Sequence, residues 1–216
     1  MYRIYFVTAY GLQLLSYFIL PLLFRVMYRP KAFYKDDLAS LGRGSLLVAN
    51  HQSLLDPFII LAQIPFRVFL RLLPIGFPTA HEWMDQPFRG QLVKFLGCYS
   101  IGSTKQERVR VMFHTCKLLR DGRTMMIFPE GERSEGAVGN FQKGIELFAR
   151  YARQVVFIRM DGFTRALRWK RSTVHRLVFS DVQNLAGQRL DAADLKRHLE
   201  QIWKEEAEII GHEASP

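Results

Sequence analysis

Phe128-Pro129-Glu130-Gly131-Glu132-Arg133-Ser134 follows a short apolar run at 124–127 and precedes a helical pattern. Upstream, Asn50-His51-Gln52-Ser53-Leu54-Leu55-Asp56 repeats the arrangement after the apolar run 46–49. Both runs have the length and composition of a buried strand. Polar groups placed where strands end and helices begin are what an open α/β sheet uses to build a site. The upstream stretch offers a base and a carboxylate, and the downstream one a turn rich in backbone amides with a fixed cation. Together they point to chemistry on a phosphate-bearing substrate.

Outward from this pair, the chain alternates. Strands are expected at 45–49, 66–73, 99–101, 124–127, 155–160 and 174–179, and helices at 56–63, 85–96, 105–120, 141–152 and from Asp191 onward. Thr104-Lys105-Gln106-Glu107 reads as a capping box that opens one of these helices. The stretch after 73, punctuated by Pro74, Gly76 and Pro78, reads as a loop. Alternation of this kind predicts an α/β fold with a mostly parallel sheet flanked by helices, preceded by an N-terminal apolar membrane-docking helix. The expected division is a membrane-associating helical segment at 1–35 and one α/β domain at 36–216.

The 216 residues suffice for one domain with a full core, and a hydrophobic share of 49% excludes general disorder. A net charge of +10 calls for an anionic partner: nucleic acid, phospholipid head groups or an acidic carrier protein. Arg165, Arg168, Lys170, Arg171 and Arg176 surround Trp169 and motivate a nucleic-acid reading. The basic residues are otherwise spread along the chain and no nucleic-acid-reading motif occurs, so no nucleic-acid partner is expected. Cys98 and Cys116 form no CxxC pair, which argues against a disulfide scaffold or zinc ribbon and reads as two buried thiols.

Residues 4–24 carry no charge over 21 positions, the length a membrane span needs. They also include Thr8, Gly11, Gln13, Ser16 and Pro21, which an interfacial helix accepts more readily than a span does. A buried core helix is the third reading. Arg25, Arg29, Lys31 and Lys35 follow the segment, so the positive-inside rule places the body of a spanning protein on the cytoplasmic side. The expected location is membrane-associated, at the cytoplasmic face of the inner or cell membrane.

His51 and Asp56 are five residues apart and would lie about 140° out of register on a regular helix. They meet only if the histidine sits on the turn and the carboxylate in the first helical turn, which Pro57 favours. An aspartate on one imidazole nitrogen fixes the tautomer and leaves the other nitrogen as a base. The alternative is that Asp56 caps the helix and His51 fills the turn. No nucleophile elbow, P-loop or dinucleotide fingerprint is present. A base without an enzyme nucleophile activates a substrate hydroxyl, or water in a hydrolase. Gly131 permits close approach of a ligand to backbone amides, and Arg133 offers a planar fork for two phosphate oxygens. Glu130, if buried, must meet an arginine or a substrate hydroxyl.

Asn50-His51 with Asp56 resembles the NHxxxxD motif of the glycerophospholipid acyltransferase family, which includes the lysophosphatidate (1-acylglycerol-3-phosphate) acyltransferases. Phe128-Pro129-Glu130-Gly131-Glu132-Arg133-Ser134 resembles that family's FPEGTRS motif, with Glu132 in place of threonine. Asn140-Phe141-Gln142-Lys143-Gly144 is similar to the phenylalanine-lysine-lysine-glycine run that follows it. The resemblance implies that His51 deprotonates a glycerol hydroxyl, that Asp56 orients it, and that the hydroxyl attacks the thioester of acyl-CoA or acyl carrier protein. It implies that Arg133 binds the acceptor phosphate and that Glu130 and Gly131 help form the acceptor site. Ser103 stands where the family usually has a second phosphate-binding arginine, a loss for which Lys105 is the candidate replacement. Arg159 stands where a proline is usual. The implied partners are a lysophospholipid acceptor, an acyl-CoA or acyl carrier protein co-substrate and a phospholipid surface, with no cofactor and no metal.

Overall fold

A computed structural model of the chain describes residues 2–35, 38–134, 138–163, 175–189 and 191–213. Helix α1 (Tyr2–Met27) leads into strand β1 (Lys31–Tyr34), then β2 (Ser45–Ala49), α2 (Asp56–Gln63), α3 (Phe66–Leu72) and β3 (Ile75–Thr79). The chain continues through α4 (His81–Met84), α5 (Arg89–Phe95), β4 (Cys98–Ser100), α6 (Lys105–Arg120) and β5 (Thr124–Ile127). It ends with α7 (Ile145–Tyr151), β6 (Gln154–Asp161), β7 (Arg176–Phe179) and α8 (Ala192–Glu213).

The strands form one seven-stranded sheet in the order β1-β7-β6-β2-β5-β3-β4, parallel throughout except for the antiparallel pair β6–β7. This is the mostly parallel sheet flanked by helices that the alternation of apolar runs implies. β2 sits near its centre, with β5 on one side and β6 on the other. Its residues are buried on both faces, which is why it reads as a continuous apolar run. Leu47, Ala49, Met126, Val156 and Ile158 pack with α2 and α3 and with Phe24 of α1. Leu46, Val48, Met125, Ile127, Val155 and Phe157 pack with α6, α7 and α8 on the opposite face.

Helix α1 lies on the body of the protein. Its buried Gln13 donates Nε2 to the carbonyls of Ile75 and Leu96, both at 2.7 Å, and accepts the Ile75 N–H on Oε1 at 2.9 Å. Tyr17 donates its hydroxyl to the Ile64 carbonyl at 2.7 Å and stacks on Phe69 at 4.4 Å. The outer side of α1 exposes Leu15, Phe18, Ile19, Leu22 and Val26, a stripe at helical spacing. Among the described residues, no helix is long and apolar enough to cross a membrane.

Several expected elements differ. The apolar run at 66–73 forms helix α3 rather than a strand: Val68, Phe69 and Leu72 are buried while Arg67 and Arg71, four apart, are exposed. An eight-residue apolar run does not distinguish the two periods. The expected loop after 73 contains β3. Pro78 fits there because the β5 ladder covers only Ile75 and Gly76, so at Pro78 the side facing β5 has no partner to lose. Gly76 leaves room for Met125, since a Cβ there would sit 2.6 Å from its Sδ and push that side chain aside. The expected helix at 85–96 is shorter: α5 begins only at Arg89, after Phe88 at φ 60°, and the separate turn of α4 at His81–Met84 precedes the expected start. Helix α7 begins at Ile145 rather than 141, after Gly144 at φ 96°. Strand β1, at the sheet edge beside β7, was not expected. The basic cluster around Trp169 lies outside the described residues apart from Arg176.

The capping box at the start of α6 is present as expected: Thr104 Oγ1 accepts the Glu107 N–H, and Glu107 Oε2 accepts the Thr104 N–H. With the Ser103 N–H on the same oxygen, these amides lower the Glu107 carboxyl to about 2. Cys116 is buried and Cys98 half-buried, both are free thiols, and burial pushes each up to about 11. Thiols so placed are poor nucleophiles.

Candidate active site

The two organising stretches leave the C-terminal ends of adjacent parallel strands, β2 and β5, so they meet at one rim of the sheet. His51 stands on the turn after β2 and Asp56 is the first residue of α2, followed by Pro57. His51 Nδ1 lies 2.8 Å from Asp56 Oδ2. That oxygen also accepts the N–H of Gln52 at 2.6 Å and of Ser53 at 2.7 Å. The carboxylate therefore braces the turn that carries the histidine instead of capping the helix behind it. With Asp56 surrounded by donors, Nδ1 carries the proton and Nε2 the lone pair. Asp56 is wholly buried whereas the His51 side chain is 19% exposed, so the histidine end of the pair opens to solvent.

The downstream turn closes over this one. Glu130 is 2% exposed, and its Oε1 accepts the His51 N–H at 3.3 Å. Ser134 donates its N–H to the His51 carbonyl at 2.8 Å. Phe128 stacks on the imidazole at 4.4 Å, covering one face of the ring. Gly131, at φ 74°, turns the chain where the Gln142 side chain reaches the Glu130 carbonyl, and a Cβ would lie 3.2 Å from Gln142 Nε2. Glu130 Oε2 and Asp56 Oδ1 are buried with no hydrogen-bond partner among the described residues.

Arg133 is exposed, next in sequence to the residue that holds the His51 carbonyl. Lys105, also exposed, opens α6 beyond β4. β4 lies three strands from β2, a lateral separation of about 14 Å at the usual strand spacing. The structure thus brings together His51, Asp56, Glu130 and Gly131, sets Arg133 beside them, and places Lys105 farther along the same rim. Glu130 meets a backbone amide rather than an arginine.

Sequence reasoning missed the groups that tie the site to β6. Asn50, wholly buried, donates Nδ2 to the Met160 carbonyl at 3.0 Å and accepts the Met160 N–H on Oδ1 at 2.7 Å. Gln52 Oε1 accepts the Phe163 N–H at 2.9 Å. A buried amide side chain at a strand end has to find backbone partners, and that was the available signal. Among the described residues, no group of three or more His, Cys, Asp or Glu is placed to hold a metal ion.

A family model described as Acyltransferase matches residues 29–167. No curated protein matches the sequence significantly. Among solved structures, the fold is similar to the crystal structure of the 1-acyl-sn-glycerophosphate (LPA) acyltransferase PlsC from Thermotoga maritima. The TM-score is 0.58 at 19% identity, over 96% of each chain.

Proposed function

The chain belongs to the acyltransferase family, and on that premise we propose that it moves a fatty acyl group from acyl-CoA or acyl carrier protein to a lysophospholipid hydroxyl, with 1-acylglycerol-3-phosphate as the preferred acceptor. The observation that carries this reading is the His51–Asp56 pair, 2.8 Å apart, with the second imidazole nitrogen left for a substrate. His51 Nε2 takes the acceptor hydroxyl proton as that oxygen attacks the thioester carbonyl carbon. The C–S bond then breaks and the departing thiolate receives the proton from the imidazolium. Asp56 holds the ring and stabilises its charged form. Glu130 fixes the backbone that carries it, and Gly131 lets the turn close.

Arg133 meets the acceptor phosphate with its planar fork, and Lys105 approaches from the outer part of the rim. The outer stripe of α1 seats the enzyme on the phospholipid surface from which the acceptor comes, at the cytoplasmic face. The net charge of +10 draws it to anionic lipid. A second acceptor reading, a lysophospholipid carrying a head group, is favoured by Ser103. A phosphodiester holds one charge where a free phosphomonoester holds close to two, and so asks for fewer cations. Incubation with labelled acyl-CoA and a panel of lysolipids tests the proposal. Failure to acylate any of them, with the thioester intact or merely hydrolysed, overturns it.

A further inference from the structure

The rim of the sheet opposite the dyad holds a cavity of about 700 Å³, away from the groups proposed for acyl transfer. Arg43, Arg123 and Arg153 line it, with Asp121 the single carboxylate. The arginines come from three different parts of the chain: the lead-in to β2, the lead-in to β5 and the residue before β6. Arg43 and Arg153 also line an adjoining hollow of about 450 Å³. Among the described residues neither has a carboxylate within salt-bridge distance. These two guanidinium groups, facing one hollow without a carboxylate partner, repel each other until an anion enters it.

The backbone is shaped to leave Arg153 its place. Gly44 and Gly122 both have φ 82°, and a Cβ on Gly44 would lie 3.0 Å from Arg153 Cδ. Thr124 lines the same cavity, is 1% exposed, and its hydroxyl has no hydrogen-bond partner among the described residues. A buried hydroxyl without a partner is costly unless a ligand supplies one. Helices α6 and α7 end at this rim, and their dipoles favour a cation at each end. That accounts for single basic residues there, but neither for arginines around one hollow nor for the orphaned hydroxyl.

We propose that this cavity is a second, non-catalytic site for a phosphorylated small molecule, whose oxyanions the arginines grip and whose phosphate accepts the Thr124 hydroxyl. The volume falls within the range of small-molecule sites and exceeds what one inorganic phosphate fills, which suits a nucleoside or sugar phosphate. β2 runs from this rim directly into the His51 turn, so occupancy at one end stiffens the strand that carries the base at the other.

The test is isothermal titration of the full-length protein in detergent with adenosine 5′-diphosphate and with inorganic tripolyphosphate, against sodium chloride of matched ionic strength. Binding above the salt control is expected. It should weaken about 10–100-fold in Arg43→Gln and Arg153→Gln, the loss of one charge-assisted contact. It should also weaken in Thr124→Val, which preserves the side-chain shape and guards against misfolding of the arginine variants. Arg133→Ala, at the other rim, should leave it unchanged. Vesicles of phosphatidylcholine with and without phosphatidic acid form the second arm; binding seen only there, and weakened by Arg43→Gln and Thr124→Val, assigns the phosphate to a lipid head group. No binding of either soluble ligand, with vesicle binding indifferent to Arg43→Gln and Thr124→Val, overturns the proposal, as does ligand binding abolished by Arg133→Ala and indifferent to Arg43→Gln and Thr124→Val.

Discussion

Glu130 reaches from the turn after β5 to the turn after β2 and accepts the backbone N–H of His51 on Oε1 at 3.3 Å. Its carboxylate is 2% exposed, so it acts on the chain rather than on solvent. The expected consequence is a catalytic effect without an acceptor-binding effect. Glu130→Ala should lower kcat by about 10–10²-fold through misplacement of the base, with little change in acceptor KM. Glu130→Gln keeps an oxygen acceptor and should recover most of the loss. A raised acceptor KM with unchanged kcat would show instead that the carboxylate touches substrate.

The dyad makes a sharper demand. His51→Ala should reduce acyl transfer by at least about 10²–10⁴-fold, the usual contribution of a general base. Asp56→Asn should also be severe, because an amide in that position no longer fixes the imidazole tautomer. Circular dichroism should show His51→Ala folded. Near-normal turnover of that variant would remove the mechanism, and a trapped acyl-enzyme in the wild type would replace it with a covalent one.

The pairing of these two turns was legible because each motif follows a recognisable buried strand, and parallel strands of one sheet deliver their C-terminal ends to one rim. The dyad spacing was legible through Pro57. What sequence could not show was the second half of the bracing: Asn50 and Gln52 grip Met160 and Phe163 more than a hundred residues away, and nothing local marks the partner. The misread elements have local causes. Arg67 and Arg71, four apart, share one face in a helix and in a strand alike, so they do not separate the two periods. Pro78 and Gly76 look like breakers, yet they serve an outer strand where a ladder has ended and a methionine presses close.

Removal of α1 has a different expected result from alteration of its surface. Gln13, Tyr17 and Phe24 bind the helix to β3, α2, α3 and α5, so deletion of residues 1–28 should destabilise the whole domain rather than release a soluble enzyme. The double substitution Phe18→Glu with Leu22→Glu lies on the outer stripe, where the side chains are 62% and 70% exposed. It should move the protein out of the vesicle-bound fraction in a flotation assay while the melting temperature stays near that of the wild type. Undiminished flotation of the double variant would show that the stripe does not meet lipid.

Burial of Cys98, as of Cys116, predicts an alkaline limit to stability. Burial raises the Cys98 thiol from an ordinary 9.0 to about 11 in the folded chain. Between those values the unfolded chain has lost the proton and the folded one retains it, so the unfolded state binds fewer protons and stability falls as pH rises. The contribution is fully present below pH 9 and is lost on the way through 11. Chemical denaturation from pH 8 to 10.5 should show this fall, and Cys98→Ala should flatten it relative to the wild type. An equal slope in both proteins would place the alkaline sensitivity elsewhere.

On the proposed function, the cations near the dyad should decide the acceptor. Arg133 is an exposed arginine next in sequence to Ser134, which holds the His51 carbonyl, Ser103 offers only a hydroxyl already held by Glu107, and Lys105 is exposed at the start of α6. Arg133→Ala should lower kcat/KM for the acceptor by about 10–100-fold, the loss of one charge-assisted contact of about 1.5–3 kcal/mol. Lys105→Ala should cost less, because its ammonium approaches from farther away and stays hydrated. Lysophosphatidate and lysophosphatidylethanolamine, compared at equal concentration, then separate a phosphomonoester site from a phosphodiester one. If lysophosphatidate is the acceptor, its advantage should shrink in Lys105→Ala, since the second charge of the monoester loses its partner. Exclusive use of lysophosphatidylethanolamine would reverse the preferred acceptor and leave the role proposed for His51 intact, because that role concerns the hydroxyl and not the head group.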